Sequence, residues 1–131
     1  MPSAMSIVLV QEGTGERSIM LHKGVQEMSD LKVESIDLSS ISYLLLDGYW
    51  FDTAFEVASR AKQHGITVIM DTSSSLLSNP LTSTLLGYVD YLIPGINFAR
   101  RLAGQPDGDI AQVAHKLLEF GPGTVIVTNG E

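Results

Sequence analysis

The sequence has 131 residues, of which 44% are hydrophobic and 18% are charged, a composition typical of a globular protein rather than a disordered one. Its 8 basic and 15 acidic residues give a net charge of −7, which argues against nucleic acid or an anionic membrane as the main partner. It has no cysteine, so disulfides and thiolate catalysis are excluded. No apolar run approaches the roughly 18 residues of a membrane span, and we expect a cytoplasmic protein.

The first predicted element is a β-hairpin over residues 6–22. Two apolar runs, SIVLVQ at 6–11 and RSIMLH at 17–22, are joined by the glycine-containing link GTGE. Apolar, β-branched runs on either side of a short link are typical of paired antiparallel strands. The residues from there to about 40 are mixed and polar, and we expect a loop with a short helix.

From residue 42 to residue 131 the sequence alternates between strand-like and helix-like segments. Near-continuous apolar runs predict a strand buried on both faces at 42–47 and a second buried strand at 67–71. A third and a fourth strand are predicted at 89–94 and 124–131. Helical spacing and helix-stop glycines predict helices between them, at 53–65, within 73–87, at 97–104 and at 109–121, the last with Asp109 as its N-cap. This alternation predicts a Rossmann-like parallel α/β sheet with flanking helices, and we expect one domain over 1–131.

Each predicted parallel strand ends in a polar or glycine-containing segment. These segments are Asp47–Trp50, Asp71–Ser74, Pro94–Asn97 and Thr128–Glu131. Each one alone suits an ordinary turn with a helix cap, because Asp, Ser, Thr and Gly prefer those positions. Ligands of open parallel sheets bind outside the carboxyl ends of the strands, so the shared placement predicts a ligand crevice without naming its ligand.

Other chemical motifs lack the context that they need. The Gly-x-Gly of residues 13–15 precedes a strand rather than a helix, and there is no Walker A pattern, so neither nucleotide motif is supported. The three histidines have no metal-ligand or catalytic-triad spacing. Asp47 closes its strand as the phosphate-accepting aspartate of a receiver domain would. Only Gln11 and Glu12 stand where a receiver needs an acidic pair, which makes a receiver-like domain a weaker alternative.

Taken in order, the segments resemble the ribokinase-like, or PfkB, carbohydrate kinase family. The resemblance is carried by SIVLVQEGTGERSIMLHKG, SYLLLDGYW, AKQHGITVIMD, DYLIPGINFARRLAG and TVIVTNGE. They occur in the family's order through residues 5–131 and correspond to the middle portion of a larger kinase. The resemblance therefore implies an incomplete ribokinase-like fold.

The activity that this resemblance implies is ATP-dependent phosphorylation of a sugar or sugar-like alcohol with magnesium. The implied partners are a small-molecule sugar and a nucleotide. The resemblance places three groups of residues at the site: Thr128, Asn129, Gly130, Glu131 and Gly95 at the nucleotide, Asp47, Gly48, Tyr49 and Trp50 on the substrate side, and Asp71 and Thr72 in the phosphate and metal region. Loop amides and a metal suit this chemistry, because phosphoryl transfer depends mainly on positioning and charge stabilisation.

The sequence also departs from the family pattern. The family's Asn-x-x-Glu, which organises magnesium-bound water and phosphate, aligns with Gly95–Phe98, where both key residues differ. The Gly-Ala-Gly-Asp motif, which supplies the general base, does not occur, and neither does the family's amino-terminal sugar-binding half. We therefore assign no catalytic residue, leave the metal ligands open and expect the 131 residues alone to lack meaningful kinase activity.

Two further expectations follow from these departures. The alternative function is a degenerate, non-catalytic kinase-like binding domain. A parallel sheet that lacks its neighbours exposes apolar edges and faces, so we also expect a homo-oligomer.

Overall fold

A computed structural model describes residues 3, 5–22 and 32–130 of the chain. The chain divides into two compact units, residues 1–31 and residues 32–131. The expectation of one domain over the whole chain stays a prediction.

The first unit contains an antiparallel hairpin. Strand β1 (Met5–Val10) pairs with β2 (Arg17–His22), and Val8 lies opposite Ile19. The link between the strands turns at two glycines with positive φ angles and is closed by the hydrogen bond from the Gln11 N–H to the Glu16 carbonyl, at 2.8 Å. The predicted hairpin is confirmed, with its first strand shifted one residue toward the amino terminus.

The second unit is a mixed α/β structure. Its helices and strands follow one another in chain order: β3 (Tyr43–Leu46), α1 (Phe51–Gln63), β4 (Thr67–Asp71), α2 (Thr82–Leu86), β5 (Tyr91–Ile93), α3 (Ile96–Ala103), α4 (Ile110–Leu118) and β6 (Thr124–Val125). Two short 3-10 helices are also present, at Val33–Ser35 and Ser74–Leu77. Of the predicted segment up to residue 40, residues 23–31 lie outside the described residues.

The strands of the second unit form a parallel sheet in the order β3-β4-β5-β6. The predicted parallel α/β fold with a separate hairpin is therefore confirmed. The inward-facing side chains of the central strands, among them Val68, Met70 and Leu92, pack in one buried cluster with side chains of all four helices. Right-handed crossovers between consecutive neighbours place every helix on the same face of a sheet, and this shared core agrees with that rule.

The opposite face of the sheet differs from the prediction of strands buried on both faces. The side chains of Tyr43 and Leu45 are 70% and 71% exposed, whereas the intervening Leu44 packs against the core. Because side chains alternate along a strand, one half of each apolar run faces the helices and the other half faces away from them. A continuous apolar run therefore could not show that both faces are covered within this unit.

Local signals explain where the helices begin and end. In α1, buried residues recur at helical spacing, and the helix gives way to Gly65, whose φ of 70° is left-handed. In α4, Asp109 is the N-cap, as predicted: its carboxylate accepts from the Gln112 N–H at 2.8 Å, and its own N–H donates to the Gln112 side chain at 3.4 Å. No helix of the described part of the chain has the length and apolarity needed to cross a membrane.

Candidate active site

The four parallel strands end on one edge of the sheet, where the sequence predicts a ligand crevice. Asp71, the last residue of β4, pairs in register with Ile93 of β5. Beyond β5, Gly95 forms a parallel bridge with Thr128. Asp71 follows the buried Met70 and Thr128 follows the core-packed Val127, so both side chains point to the face away from the helices.

The corner after β3 is shaped by Gly48. Its φ is 68°, and a Cβ atom there would lie 3.1 Å from the terminal methyl of Met70. The Asp47 carboxylate accepts a hydrogen bond from the Tyr49 N–H at 2.9 Å, which folds the chain back toward α1. The Gly48 carbonyl accepts hydrogen bonds from Ser73 and Ser75, so this corner is tied to the loop after β4. Sequence reasoning did not single out either serine for this role.

A pocket of about 350 Å³ opens beside this corner. It is lined by Leu45, Leu46, Asp47, Trp50, Thr53 and Ala54. Trp50 is 38% exposed, and its ring meets the ring of Tyr49 edge to face, with 5.3 Å between their centroids. An exposed aromatic face beside a carboxylate can stack a sugar ring and accept its hydroxyl protons. The structure thus brings Asp47 and Trp50 together, whereas Gly48 is buried and Tyr49 touches the pocket only through Trp50.

A second pocket, of about 340 Å³, lies where β5 passes into α3. Its lining consists of Gly95, Ile96, Asn97, Phe98, Thr128, Asn129 and Gly130. Four of the residues predicted at the nucleotide therefore meet here, while Glu131 lies outside the described residues. The first turn of α3 adds Ile96 and Asn97, which were predicted to line the crevice but were not assigned to the nucleotide, and Phe98, which was in neither group. The signal for them was their position directly after a predicted strand end.

Backbone hydrogen bonds fix the geometry of this second pocket. The Ile96 N–H donates to the Thr128 carbonyl at 2.8 Å, and the Thr128 N–H donates to the Pro94 carbonyl at 2.9 Å. The N–H groups of Asn97 and Phe98 have no acceptor within the described residues, whereas the next N–H, of Ala99, donates to the Gly95 carbonyl at 2.8 Å. Such groups, together with the Thr128 hydroxyl, can donate hydrogen bonds to phosphate oxygens.

Asp71 and Thr72 line neither pocket. Asp71 ends β4, which lies between β3 and β5, and Thr72 follows the strand. The Asp71 carboxylate accepts from the Thr72 N–H at 2.7 Å. Asp47 and Asp71 each come one residue after the register pair Leu46–Met70, so they lie at the same level on neighbouring strands. The described residues contain no group of three or more His, Asp or Glu side chains that could hold a metal ion by themselves.

These oxygen donors still fit magnesium in the form that phosphoryl-transfer enzymes use. Mg²⁺ is commonly held by one or two carboxylates together with substrate phosphates and water. Asp71, with Asp47 beside it, offers that number of carboxylates. The positions aligned with the family's Asn-x-x-Glu add none, because they carry Gly95 and Phe98.

Comparison with known proteins assigns the family. The sequence matches the pfkB family carbohydrate kinases over residues 2–131. No curated protein matches it significantly. A ribokinase from Thermotoga maritima is 28% identical with a TM-score of 0.69, over 98% of this chain and 43% of that one. A ribokinase from Arabidopsis thaliana, complexed with ribose and ATP, is 27% identical with a TM-score of 0.73, over 98% and 43%.

A nucleoside kinase from Burkholderia thailandensis in complex with inosine shares the fold, with a TM-score of 0.71 at 16% identity over 98% of this chain and 41% of that one. The chain thus spans less than half the length of these structures. The receiver-like alternative loses its support, because β1 pairs antiparallel in a hairpin instead of starting a parallel sheet. The family match covers nearly the whole sequence and the fold agrees with that of ribokinases, so the chain belongs to the PfkB family of carbohydrate kinases.

Proposed function

We propose that this chain forms the nucleotide-binding edge, and part of the sugar-binding edge, of a kinase that transfers the γ-phosphate of ATP to a sugar or sugar-like alcohol. The observation that carries the proposal is the pair of pockets at the carboxyl ends of the parallel strands. One pocket presents an aromatic ring and a carboxylate, and the other presents backbone amides and a threonine hydroxyl. These are the chemistries that a carbohydrate and a polyphosphate need, respectively.

On the nucleotide side, the Thr128 hydroxyl and the N–H groups at the start of α3 would donate hydrogen bonds to phosphate oxygens. Gly95 and Gly130 have no side chain, so together with Asn129 they would let the phosphates come close to the backbone of this pocket. Glu131 belongs to the same proposed group by its place in the sequence. The similarity of this chain to the Arabidopsis ribokinase complexed with ATP, in family and in fold, supports this assignment.

On the sugar side, Trp50 would stack against the ring and Asp47 would accept a hydrogen bond from a hydroxyl. Gly48 and Tyr49 would act by holding these two side chains in place. Magnesium, when bound, would neutralise charge on the transferring phosphate, and Asp71 would hold it, with Thr72 fixing the orientation of the Asp71 carboxylate.

We further infer that these 131 residues do not catalyse phosphoryl transfer by themselves. The resemblance implies that the Gly-Ala-Gly-Asp motif supplies both the general base, through its aspartate, and an anion hole, through its glycines and the helix that follows. Without the base the rate falls by about 10²–10⁴-fold, and without the anion hole it falls by roughly a further 10²–10³-fold. The replacement of Asn-x-x-Glu by Gly95 and Phe98 favours the alternative of a degenerate, non-catalytic kinase-like binding domain. We also propose that the protein is cytoplasmic, that it forms a homo-oligomer and that residues 1–131 form a single α/β domain.

Calorimetric titration with ATP and with ribose, in the presence of magnesium, tests the binding edge. We expect Thr128→Val to weaken ATP binding by about 5–10-fold, since it removes one hydrogen-bond donor and keeps the shape. Thr84→Val, at an exposed position of α2, is the matched control and should change nothing. Trp50→Ala should weaken ribose binding and leave ATP binding unchanged.

Two results would contradict the proposal. If Thr128→Val and Thr84→Val bound ATP with equal affinity, the Thr128 hydroxyl would not contribute to nucleotide binding. Ordinary release of ADP with a panel of sugars would refute the inferred lack of turnover.

A further inference from the structure

The carbonyl group of Gly48 is held by two serine side chains instead of by a helix or a strand. Gly48 is buried, and no backbone N–H among the described residues donates to its carbonyl oxygen. Ser73 Oγ donates to this oxygen at 3.0 Å, and Ser75 Oγ donates to it as well. A buried backbone carbonyl needs a donor, so these two hydroxyls supply what the secondary structure does not.

Either hydroxyl can hold the carbonyl without the other. The two hydroxyl oxygens lie 2.6 Å apart, and each can donate to the other. Because each hydroxyl has one proton, both protons point at the carbonyl, or one serine donates to the carbonyl and accepts from its neighbour. Loss of one serine therefore leaves the Gly48 carbonyl with a donor, and only loss of both leaves it without one.

The loop that carries both serines is anchored in the core. Leu76, which follows Ser75, is 1% exposed, and its carbonyl accepts from the buried Thr82 hydroxyl at 2.6 Å. The Leu76 N–H donates to the Ser73 carbonyl at 3.2 Å, which closes the turn. A Cβ atom on Gly48 would lie 3.5 Å from Leu76, so the same turn also packs directly against Gly48. The serine hydroxyls are therefore presented by a fixed turn.

The N–H of the same peptide unit is bound by Asp47. The Gly48 carbonyl and the Tyr49 N–H belong to one planar peptide unit, and this N–H donates to the Asp47 carboxylate at 2.9 Å. Glycine tolerates more backbone conformations than any other residue, so this unit could rotate and turn its N–H away from the carboxylate. The hydrogen bonds from Ser73 and Ser75 to the carbonyl oppose that rotation. They therefore also fix the N–H that orients the Asp47 carboxylate.

We propose that Ser73 and Ser75 are positioning residues of the proposed sugar pocket and act through the peptide unit that they hold. This inference rests on the proposed function, in which Asp47 and Trp50 contact the sugar. The serines follow β4, which ends at Asp71, so one loop sets the place of the sugar relative to the proposed metal ligand. Without either hydroxyl, only a fraction of the molecules keeps the arrangement, and the apparent affinity for a sugar falls by that fraction.

Two variants of the full chain that differ by a single hydroxyl test the proposal. The threonine variant, Ser73→Thr with Ser75→Ala, keeps one donor for the Gly48 carbonyl, whereas the valine variant, Ser73→Val with Ser75→Ala, has the same shape and no donor. Residue 73 has an extended backbone, with φ of −123° and ψ of 163°, which suits both β-branched side chains. The control, Ser74→Ala with Ser78→Ala, removes two exposed hydroxyls of the same loop that do not contact that carbonyl.

Trp50 is the only tryptophan of the sequence, so its fluorescence reports on this corner alone. We expect the valine variant to shift the emission maximum and to increase quenching by acrylamide, while the threonine variant and the control match the wild type. Calorimetric titration with ribose should show at least about 10-fold weaker binding in the valine variant, and less than about 2-fold change in the other two. A role in global stability alone would leave both readouts unchanged in the folded protein.

The proposal is overturned if the threonine and valine variants have the same Trp50 emission, or if they bind ribose equally while the wild type binds it. If the wild type does not bind ribose but the emission of the valine variant shifts, the proposed sugar site is wrong and the hold of the serines on this corner is supported. Should the valine variant fail to fold, as judged by circular dichroism, NMR measurement of Tyr49 amide exchange in Ser75→Ala replaces it. Faster exchange than in Ser74→Ala supports the proposal, and equal exchange overturns it.

Discussion

At the scale of single residues, Gly48 carries two constraints at the same position. Its φ of 68° lies in the left-handed region, and a Cβ atom would approach the Met70 methyl to 3.1 Å and Leu76 to 3.5 Å. Gly65 has nearly the same φ, 70°, but a Cβ there would meet nothing within 4 Å. A side chain at Gly65 would therefore cost free energy only through the backbone conformation, whereas a side chain at Gly48 would add the cost of steric crowding.

We predict that Gly48→Ala lowers the free energy of unfolding by about 2–3 kcal/mol, and that Gly65→Ala lowers it by about 1 kcal/mol. The difference arises because the new methyl at position 48 must displace Met70, whereas at position 65 it enters open space. Urea denaturation of both variants measures the two values. Equal losses would show that Met70 moves aside without cost and that only the backbone matters.

The sequence could place Gly48 at a strand end but could not show that it is buried. A glycine after a strand reads as a turn residue, and a ligand-binding role is equally compatible with that pattern. Burial under Met70 and Leu76 is a tertiary contact between β3, β4 and the loop that follows β4. For the same reason, the hydrogen bonds of Ser73 and Ser75 to the Gly48 carbonyl could not be predicted from a run of serines.

At the scale of the elements, Asp90 joins three strands at the amino-terminal edge of the sheet. Its carboxylate accepts from the Val68 N–H at 2.9 Å and pairs with Lys62 of α1 at 2.7 Å, while its backbone carbonyl accepts from the Thr124 N–H. Partial burial raises the pKa of Asp90, but the hydrogen bonds from Lys62 and Val68 and the Lys62 charge outweigh it, so the pKa falls below its usual 3.8.

We predict that Asp90→Ala destabilises the protein by about 1–3 kcal/mol near neutral pH, because it leaves the Val68 N–H without its acceptor. Since the pKa is lower in the folded state, the charge-dependent part of this stability is present above pH 3.8 and is lost as the pH falls through the folded-state pKa. Denaturation of wild type and variant at a series of pH values measures the difference.

The control for Asp90 is Glu119→Ala. Glu119 pairs with Lys116 within one exposed helix turn, where an ion pair contributes little. The control should therefore change stability by less than about 0.5 kcal/mol at every pH. If the gap between wild type and Asp90→Ala stayed constant down to pH values well below 3.8, the carboxylate charge would not be the source of the stability.

The sequence predicted where a helix begins better than it predicted how long a strand is. Asp109 with Gln112 is a capping box that the chain sequence encodes locally, and the predicted N-cap is confirmed. Strand β6 was predicted over 124–131 but is regular only over Thr124–Val125, with a single bridge at Thr128. Strand length depends on the neighbouring strand: within residues 32–130, β6 pairs only with β5, and β5 itself ends at Ile93.

At the scale of the whole molecule, alternation of strands and helices was enough to predict a parallel sheet, because parallel neighbours require crossovers. That inference also predicted that the segments after the strands meet at one edge of the sheet. The assignment of Gly95 and of Thr128–Glu131 to a nucleotide came instead from the family resemblance. The uncovered face did not follow, because a continuous apolar run reads the same whether one face or both faces are covered. The side of the sheet that a crossover takes is a property of topology rather than of composition.

The division into two units predicts two levels of stability. The described residues of the hairpin include no buried side chain, whereas β4 and β5 carry fully buried Val68, Met70 and Leu92. A two-stranded hairpin is marginally stable without packing against other elements. We therefore predict that amides of β1 and β2 exchange with deuterium at least about 100-fold faster than those of β4, whose opening requires global unfolding. Mass spectrometry of peptides that cover 5–22 and 66–71 measures both rates in one sample. Equal protection would mean that the hairpin and the α/β unit open together, as one domain over 1–131 would.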